Sequence, residues 1–246
     1  SYLNGMAKLD TKTGRCEYLK LVDETSNLME NVYCFAEDNN KTLWIGTMGG
    51  GLYQMNINTR KIVRCPTTTV SSTDWTKVNM LHNSWINCLL HTAEDKLYIG
   101  TYDGLGCLDI RTMDFVSPMN NRRILYGDVI YALHEGKDGN IWIGTNNGLS
   151  CYHPTEDHFT NYTKQDGLPD AQFYWNASYR SSDGTLYFGS TNGLTAIENN
   201  RPIAPAQPSK VRFTRLRVGN EDILPGDKYL SKDIAVTQEI ELHEKE

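Results

Sequence analysis

The chain has 246 residues, of which 39% are hydrophobic and 22% charged, and its formal net charge is -6. It contains no apolar run of about 18 residues that would cross a bilayer and no charged-then-apolar leader, so we expect this part of the protein to be soluble. Lysine and arginine are scattered singly apart from the two pairs Arg60 with Lys61 and Arg122 with Arg123. That distribution lacks the basic stripe of a nucleic-acid surface and argues against a nucleic-acid partner.

A five-residue motif recurs four times along the chain. Its copies occupy residues 43–47, 97–101, 141–145 and 186–190 and read Leu-Trp-Ile-Gly-Thr or a close variant. The glycines of successive copies are 54, 44 and 45 residues apart. One four-stranded propeller blade takes roughly 40 to 50 residues. The repeat therefore predicts an all-β chain built from four-stranded β-propeller blades.

The third repeat shows the strand pattern most clearly. Alternating apolar residues predict strands at residues 130–134, 141–145, 149–152 and 158–160. Asp138 and Gly139 make the first hairpin turn, because both residues tolerate positive φ. Similar pairs recur between the first two strands of each blade, so these repeated acids are predicted to form turns and not to take part in catalysis.

The repeat boundaries divide the chain into three parts. Residues 1–198 are predicted to be a partial propeller of about four to five blades, of which the first is truncated and the last has no obvious fourth strand. Residues 199–209 contain three prolines and read as a linker. Residues 210–246 read as the first strands of an immunoglobulin-like β-sandwich. Because a propeller must close to remove its edges, we expect the isolated chain to be poorly stable or to associate edge to edge.

The six cysteines follow the repeat. Cys34, Cys88, Ala132 and Ala177 occupy one position of successive inner strands, where the crowding near a propeller axis favours a small side chain. Cys107 and Cys151 share a position in a third strand. The even number of cysteines is therefore interpreted as packing and not as a disulfide framework.

The repeats resemble a known family, the two-component regulator propeller. Its hallmark is Trp-Ile-Gly-Thr followed by a short turn and Gly-Leu, and the matching segments here are residues 44–52, 98–105, 142–149 and 187–194. The departures are an extra glycine in residues 48–51 and Ser190 in place of threonine. The tail from Pro208 is similar to the opening of the Y_Y_Y domain that usually follows such propellers.

This resemblance implies a function. It suggests an extracytoplasmic ligand-sensing module of a hybrid two-component sensor, which binds a glycan fragment in the periplasm and signals across the inner membrane to a histidine kinase and its phosphorelay. The implied whole protein is membrane-anchored and forms a homodimer. The chain itself is predicted to be neither an enzyme nor cofactor-dependent, whereas the protein it resembles is a histidine kinase.

One face of the predicted propeller is the candidate ligand site, because the longest connections emerge there. Aromatic rings can stack on sugar rings, and polar groups can bond their hydroxyls. The candidate ligand-binding residues are Trp75, His82, Trp85, Tyr102, Tyr126 and Trp175. A structural alternative remains for Trp85 and Trp175, which lie near the start of inner strands and can simply pack between blades.

Two other functions stay open on the sequence. A propeller lyase or glycosidase would need two carboxylates on the loop face, and the candidates are Asp74, Asp103, Asp128 and Asp170. A structural or dimerisation propeller would instead direct its loop aromatics at another subunit. The histidines and cysteines show no metal-ligand spacing, and the inner-strand histidines His91 and His134 are expected to be hydrogen-bonded within the fold.

Overall fold

The computed structural model describes residues 6–19, 22, 31–66, 81, 83–116, 125–198, 215–218, 221–230, 232–234 and 237. The chain divides into two compact units, Ser1–Ile203 and Ala204–Glu246. The first unit is an all-β assembly of propeller blades, which confirms the predicted fold class. Within the described residues, no helix is long and apolar enough to cross a bilayer.

Three blades have four antiparallel strands each. The first blade contains β3 (Val32–Glu37), β4 (Thr42–Thr47), β5 (Gly51–Asn56) and β6 (Ile62–Arg64). The second contains β7 (Ile86–His91), β8 (Lys96–Thr101), β9 (Gly104–Asp109) and β10 (Asp114–Val116). The third contains β11 (Ile130–Glu135), β12 (Ile141–Thr145), β13 (Gly148–His153) and β14 (His158–Tyr162). Neighbouring strands in the sequence pair in every blade, as the repeat predicts.

Shorter sheets lie on either side of these blades in the sequence. β1 (Met6–Leu9) and β2 (Cys16–Leu19) form a hairpin that corresponds to the predicted end of a truncated blade. A 3-10 turn, Lys164–Asp166, precedes the fourth blade. That blade contains β15 (Phe173–Arg180), β16 (Leu186–Ser190) and β17 (Gly193–Ile197). Its inner strand begins two residues before Trp175, the predicted start.

The repeated glycine lies where the inner strand meets the next blade. A Cβ added at Gly46 would lie 2.5 Å from Cys34 Sγ and 2.6 Å from Ile86 Cγ2 of the second blade. A Cβ added at Gly100 would lie 2.4 Å from Cys88 Sγ and 2.6 Å from Ile130 Cγ2. Glycine and a small inner-strand residue are therefore both required for close packing of the blades. All six cysteine thiols are described, and each is free in the structure.

The threonine of the motif closes the next turn. Thr47, Thr101 and Thr145 each donate a hydroxyl hydrogen bond of 2.8 Å to the carbonyl of the glycine that starts the third strand. Ser190 makes the corresponding bond to Gly193 at 3.0 Å. The substitution of serine for threonine therefore preserves the turn, because the hydroxyl is the group that the turn uses.

The second unit is described only in part. β18 (Leu216–Val218) and β19 (Glu221–Ile223) form a hairpin, and a turn follows at Leu224, where its amide donates to Asp227. Among the residues read as the first strands of a sandwich, Ile234 lies instead in a turn that its carbonyl closes with Thr237. The apolar residues Val236, Ile240 and Leu242, which the same reading would place in strands, lie outside the described residues. The predicted immunoglobulin-like sandwich is not confirmed by this hairpin.

Candidate functional site

Each inner strand of the three complete blades has a β-bulge at the same position. The pairing with the second strand shifts between Val32 and Cys34, between Ile86 and Cys88, and between Ile130 and Ala132. The extra residues are Tyr33, Asn87 and Tyr131. A bulge leaves one residue outside the ladder and redirects its side chain. The repeat thus places one irregular residue near the start of every inner strand.

The fourth blade extends this irregularity. Phe173 pairs with Ser190, and regular pairing resumes only at Ser178 with Phe188. Tyr174 and Trp175 lie in the segment between these pairs, and Asn176 has a positive φ of 53°. A longer interruption therefore brings two large aromatic residues to the position that a single residue fills in the other blades.

Trp175 and five other aromatic side chains form one connected group. The ring centroid of Trp175 lies 5.6 Å from that of Tyr131, 5.9 Å from Tyr174, 6.4 Å from Tyr102 and 6.5 Å from Tyr33. Trp85 joins them through Tyr102, at 5.5 Å. Most of these contacts are edge-to-face or tilted, which is the favoured geometry for aromatic pairs. We call this set, Tyr33, Trp85, Tyr102, Tyr131, Tyr174 and Trp175, the aromatic cluster.

The connections between blades fix the loop side of the cluster. Trp85 forms a bridge with Met48 of the first blade, and its carbonyl accepts a hydrogen bond of 3.2 Å from the Tyr102 amide. The Trp85 amide donates to Asn83 Oδ1 at 2.7 Å. The side chain of Trp85 nevertheless remains 46% exposed, and that of Tyr174 55%. The cluster is thus anchored by backbone bonds while two of its rings face solvent.

The structure brings together three of the predicted ligand-binding residues, namely Trp85, Tyr102 and Trp175. Tyr126 is 42% exposed, and its ring contacts no other described ring. Its backbone instead contacts the third blade, because its carbonyl oxygen lies 2.6 Å from Thr145 Oγ1 and shares that hydroxyl proton with the Gly148 carbonyl. Trp75 and His82 lie outside the described residues.

Tyr33 and Tyr131 were missed as site residues in the sequence. Strict alternation assigns both to ordinary inner-strand positions, whereas the bulge removes them from that alternation. Their position in the repeat could have identified them, because each tyrosine immediately follows the first residue of its inner strand. Burial, followed by the charge of nearby Tyr174, raises the pKa of Tyr131 and favours its neutral form.

Of the carboxylates that a lyase or glycosidase would use, one is hydrogen-bonded and two are exposed. Asp170 accepts hydrogen bonds from Lys164 and Thr191, and the Lys164 bond is the main reason that the pKa of Asp170 is held well below its usual range. An acid that is ionised and paired is poorly suited to donate a proton. Asp103 and Asp128 are exposed, and Asp74 lies outside the described residues.

The opposite face contains a small cavity between the second and third blades. Its volume is about 180 Å³, and Tyr98, Glu135 and Asp138 are among its lining residues. The pKa of Glu135 is raised, chiefly by burial. No group of three or more potential metal ligands occurs among the described residues.

The expectation for the inner-strand histidines is wrong. The Nε2 atoms of His91 and His134 are buried and accept or donate no hydrogen bond. His91 Nε2 lies 3.7 Å from Asp95 Oδ1, which is close enough for an ion pair when protonated but too far for a hydrogen bond. Burial, with a smaller effect of Arg180, lowers the pKa of His134.

Comparison with known proteins finds similar chains among proteins of two-component systems. Residues 29–49 and 127–147 match the family Two component regulator propeller. Histidine kinase P4 of Formosa agariphila is 23% identical over 285 residues, and the alignment covers 95% of this chain and 20% of that protein. These matches confirm the resemblance of the repeats that the sequence motif indicated.

Extracellular domains from B. thetaiotaomicron are among the solved structures that align with this chain, and the one with a TM-score above 0.5 is similar in fold. The extracellular domain of a one-component system has a TM-score of 0.55 and 18% identity, with 95% of this chain and 36% of that chain covered. The extracellular domain of a hybrid two-component system has a TM-score of 0.48 and 23% identity, with 80% and 31% covered. The chain thus spans about a third of these extracellular domains.

Proposed function

We propose that the chain is a ligand-sensing part of the periplasmic region of a hybrid two-component sensor, on the basis of its two segments that match the family Two component regulator propeller. Its ligand is an oligosaccharide, and the aromatic cluster is the binding site. The observation that supports this assignment is the convergence of six aromatic rings from four blades and their connections.

The cluster suits a sugar for two reasons. Aromatic side chains present flat apolar surfaces to the C–H faces of sugar rings, while tyrosine hydroxyls and the indole N–H groups can form hydrogen bonds. The exposed fractions of Trp85 and Tyr174 leave ring surface available, although both residues belong to a packed group. A rigid scaffold that presents a partly exposed aromatic surface loses little entropy on binding.

Signalling then depends on a difference in affinity between two states of the whole receptor. A ligand can shift an equilibrium between two dimer arrangements only if it binds one of them more tightly. A ligand bound at the cluster would therefore shift the receptor toward the dimer arrangement in which it makes the better contacts. The membrane-anchored kinase and the homodimer belong to this proposal for the whole protein.

Calorimetric titration with a panel of plant, host and microbial oligosaccharides tests the proposed site. For a panel member that binds without being cleaved, we expect Trp175→Ala to weaken affinity by at least about 10-fold, since aromatic residues dominate such contacts. Tyr126→Ala is the matched control, because Tyr126 is an exposed aromatic of the same face whose ring lies outside the cluster.

Three outcomes would contradict parts of this proposal. Equal losses in both variants would place the ligand elsewhere on the face. Cleavage of an oligosaccharide would favour the lyase or glycosidase. Absence of binding across the panel would favour the structural or dimerisation propeller.

A further inference from the structure

Two buried polar atoms beside the aromatic cluster have no hydrogen-bond partner among the described residues. One is the side-chain oxygen Oδ1 of Asn87, whose residue is only 2% exposed. The other is the indole nitrogen Nε1 of Trp175. Buried polar groups are nearly always paired, so this unpaired acceptor and this unpaired donor each require an explanation.

The orientation of the Asn87 amide is fixed by its neighbour. Asn87 Nδ2 donates a 2.9 Å hydrogen bond to the carbonyl oxygen of Ile130 in the next blade. A carbonyl can only accept, so the NH2 group must face Ile130 and the oxygen is the atom left without a partner. The missing bond is therefore a missing donor to Oδ1 and is not the result of a reversed amide.

The position of Asn87 places it with the cluster. It is the bulge residue of β7, and the corresponding residues of β3 and β11 are Tyr33 and Tyr131, which both contact Trp175. Its amide reaches the peptide group that joins Ile130 to Tyr131. Trp85 lies two residues before it on the same strand connection.

We infer that Asn87 Oδ1 and Trp175 Nε1 are the polar recognition groups of the aromatic cluster and that they select a neutral hydroxyl group. This inference rests on the proposed function and specifies its ligand class. A hydroxyl both donates and accepts, so it is the neutral group that can pair with either atom. An ammonium group would leave Nε1 unpaired, and a carboxylate or sulfate would leave Oδ1 unpaired.

The inference thus predicts a preference among sugars. Neutral oligosaccharides should bind in preference to uronate or sulfated chains at this position, because a site that must pair both atoms penalises a ligand that leaves one unpaired. The probes are cellotetraose, xylotetraose, maltotetraose and laminaritetraose as neutral chains, with tetragalacturonate as the charged one.

Two conservative variants test the assignment by calorimetric titration of the full chain with these probes. Trp175→Phe keeps an aromatic ring and removes the N–H donor, and Asn87→Leu removes the acceptor at similar size. We expect each to weaken binding of the neutral chain by about 10-fold or more. Tyr126→Phe is the control, because Tyr126 is an exposed aromatic residue whose ring lies outside the aromatic cluster, and it should change affinity by less than about 3-fold.

Unchanged binding in Trp175→Phe would overturn the inference while leaving the proposed binding site intact. If Asn87→Leu does not fold, the result for Trp175→Phe alone decides between these outcomes. Tighter binding of tetragalacturonate than of every neutral chain would also overturn it. If no probe binds, a crystal structure of the chain at better than about 1.5 Å decides the matter. Ordered water bonded to both Asn87 Oδ1 and Trp175 Nε1 would support the inference, and a protein donor on Oδ1 would overturn it.

Discussion

At the scale of single residues, the position that opens the first hairpin turn determines whether the motif tryptophan is paired in the two blades that contain one, the first and the third. In the first blade, Asp38 accepts a 3.0 Å hydrogen bond from Trp44 Nε1, and its other oxygen accepts from the amides of Asn40 and Thr42. In the third blade Gly136 takes this position, and Trp142 Nε1 is buried without a partner. The two turns otherwise share their backbone hydrogen bonds.

Gly136→Asp should therefore stabilise the protein. The φ of Gly136 is not positive, so an aspartate can adopt its backbone conformation, and a carboxylate there would pair Trp142 Nε1 as Asp38 pairs Trp44. We expect a gain of about 1 kcal/mol in the free energy of unfolding, measured by urea titration. Asp38→Gly is the control and should lose about 1 to 3 kcal/mol. A loss of stability in Gly136→Asp would contradict this explanation.

His134 should make stability depend on pH. Its pKa in the native state is below the ordinary value of 6.5, so at mildly acidic pH the unfolded chain binds more protons than the native one. The contribution of this residue to stability consequently falls as the pH decreases through 6.5 and levels off below the native pKa.

His134→Leu tests this dependence, because Leu90 occupies the same repeat position in the second blade. Urea unfolding at several pH values should show a smaller loss of stability on acidification in the variant than in the unmodified chain. Glu135, whose pKa is raised, is present in both proteins and cancels in the comparison. An identical decline in the two proteins would show that His134 is not the responsible group.

At the scale of strands and turns, the sequence predicted the blades well because their information is local. The four motif copies mark the second strands, and turn-forming pairs such as Asp138 with Gly139 separate them from the inner strands. The bulges were not predictable in the same way. A bulge at Tyr33 or Tyr131 depends on how the inner strand meets its neighbours near the propeller axis, and alternation in the sequence does not record it.

The motif glycine gives a prediction at this scale. Gly100→Ala would push a Cβ into both Cys88 and Ile130, and the inner strand of the next blade has little freedom to move away. We expect a loss of about 2 to 3 kcal/mol in thermal or urea unfolding.

Gly139→Ala is the control for this substitution. Gly139 has a positive φ of 78°, but a Cβ added there would meet open space. The variant should therefore lose only about 1 kcal/mol in the free energy of unfolding. Similar losses at the two glycines would show that backbone conformation, and not packing between blades, determines the role of the motif glycine.

At the scale of the whole molecule, the fourth blade differs from the others on one side. Leu194 is 62% exposed, whereas the equivalent Leu52, Leu105 and Leu149 are at most 3% exposed. In the first three blades this leucine is buried in the apolar core, so the fourth blade presents an apolar side chain that its repeat normally covers. Sequence identified the blade, but only the packing shows which side of it is exposed.

The isolated chain should consequently self-associate through the fourth blade. We expect Leu194→Lys to lower the association observed by sedimentation velocity at increasing concentration, because a charge on this surface opposes apolar contact. Leu224→Lys provides a matched control, since Leu224 is a leucine of similar exposure, 65%, in the second unit. An equal effect of both substitutions would indicate a general effect of charge.

The position of a bound oligosaccharide tests the central claim most directly. A crystal structure of the chain with the tightest-binding member of the oligosaccharide panel would locate it. The proposed function predicts a sugar ring in van der Waals contact with Trp175 or Trp85 and a hydroxyl near Asn87. A sugar bound instead in the cavity lined by Tyr98 and Glu135, on the opposite face, would contradict the assignment of the aromatic cluster as the sensing site.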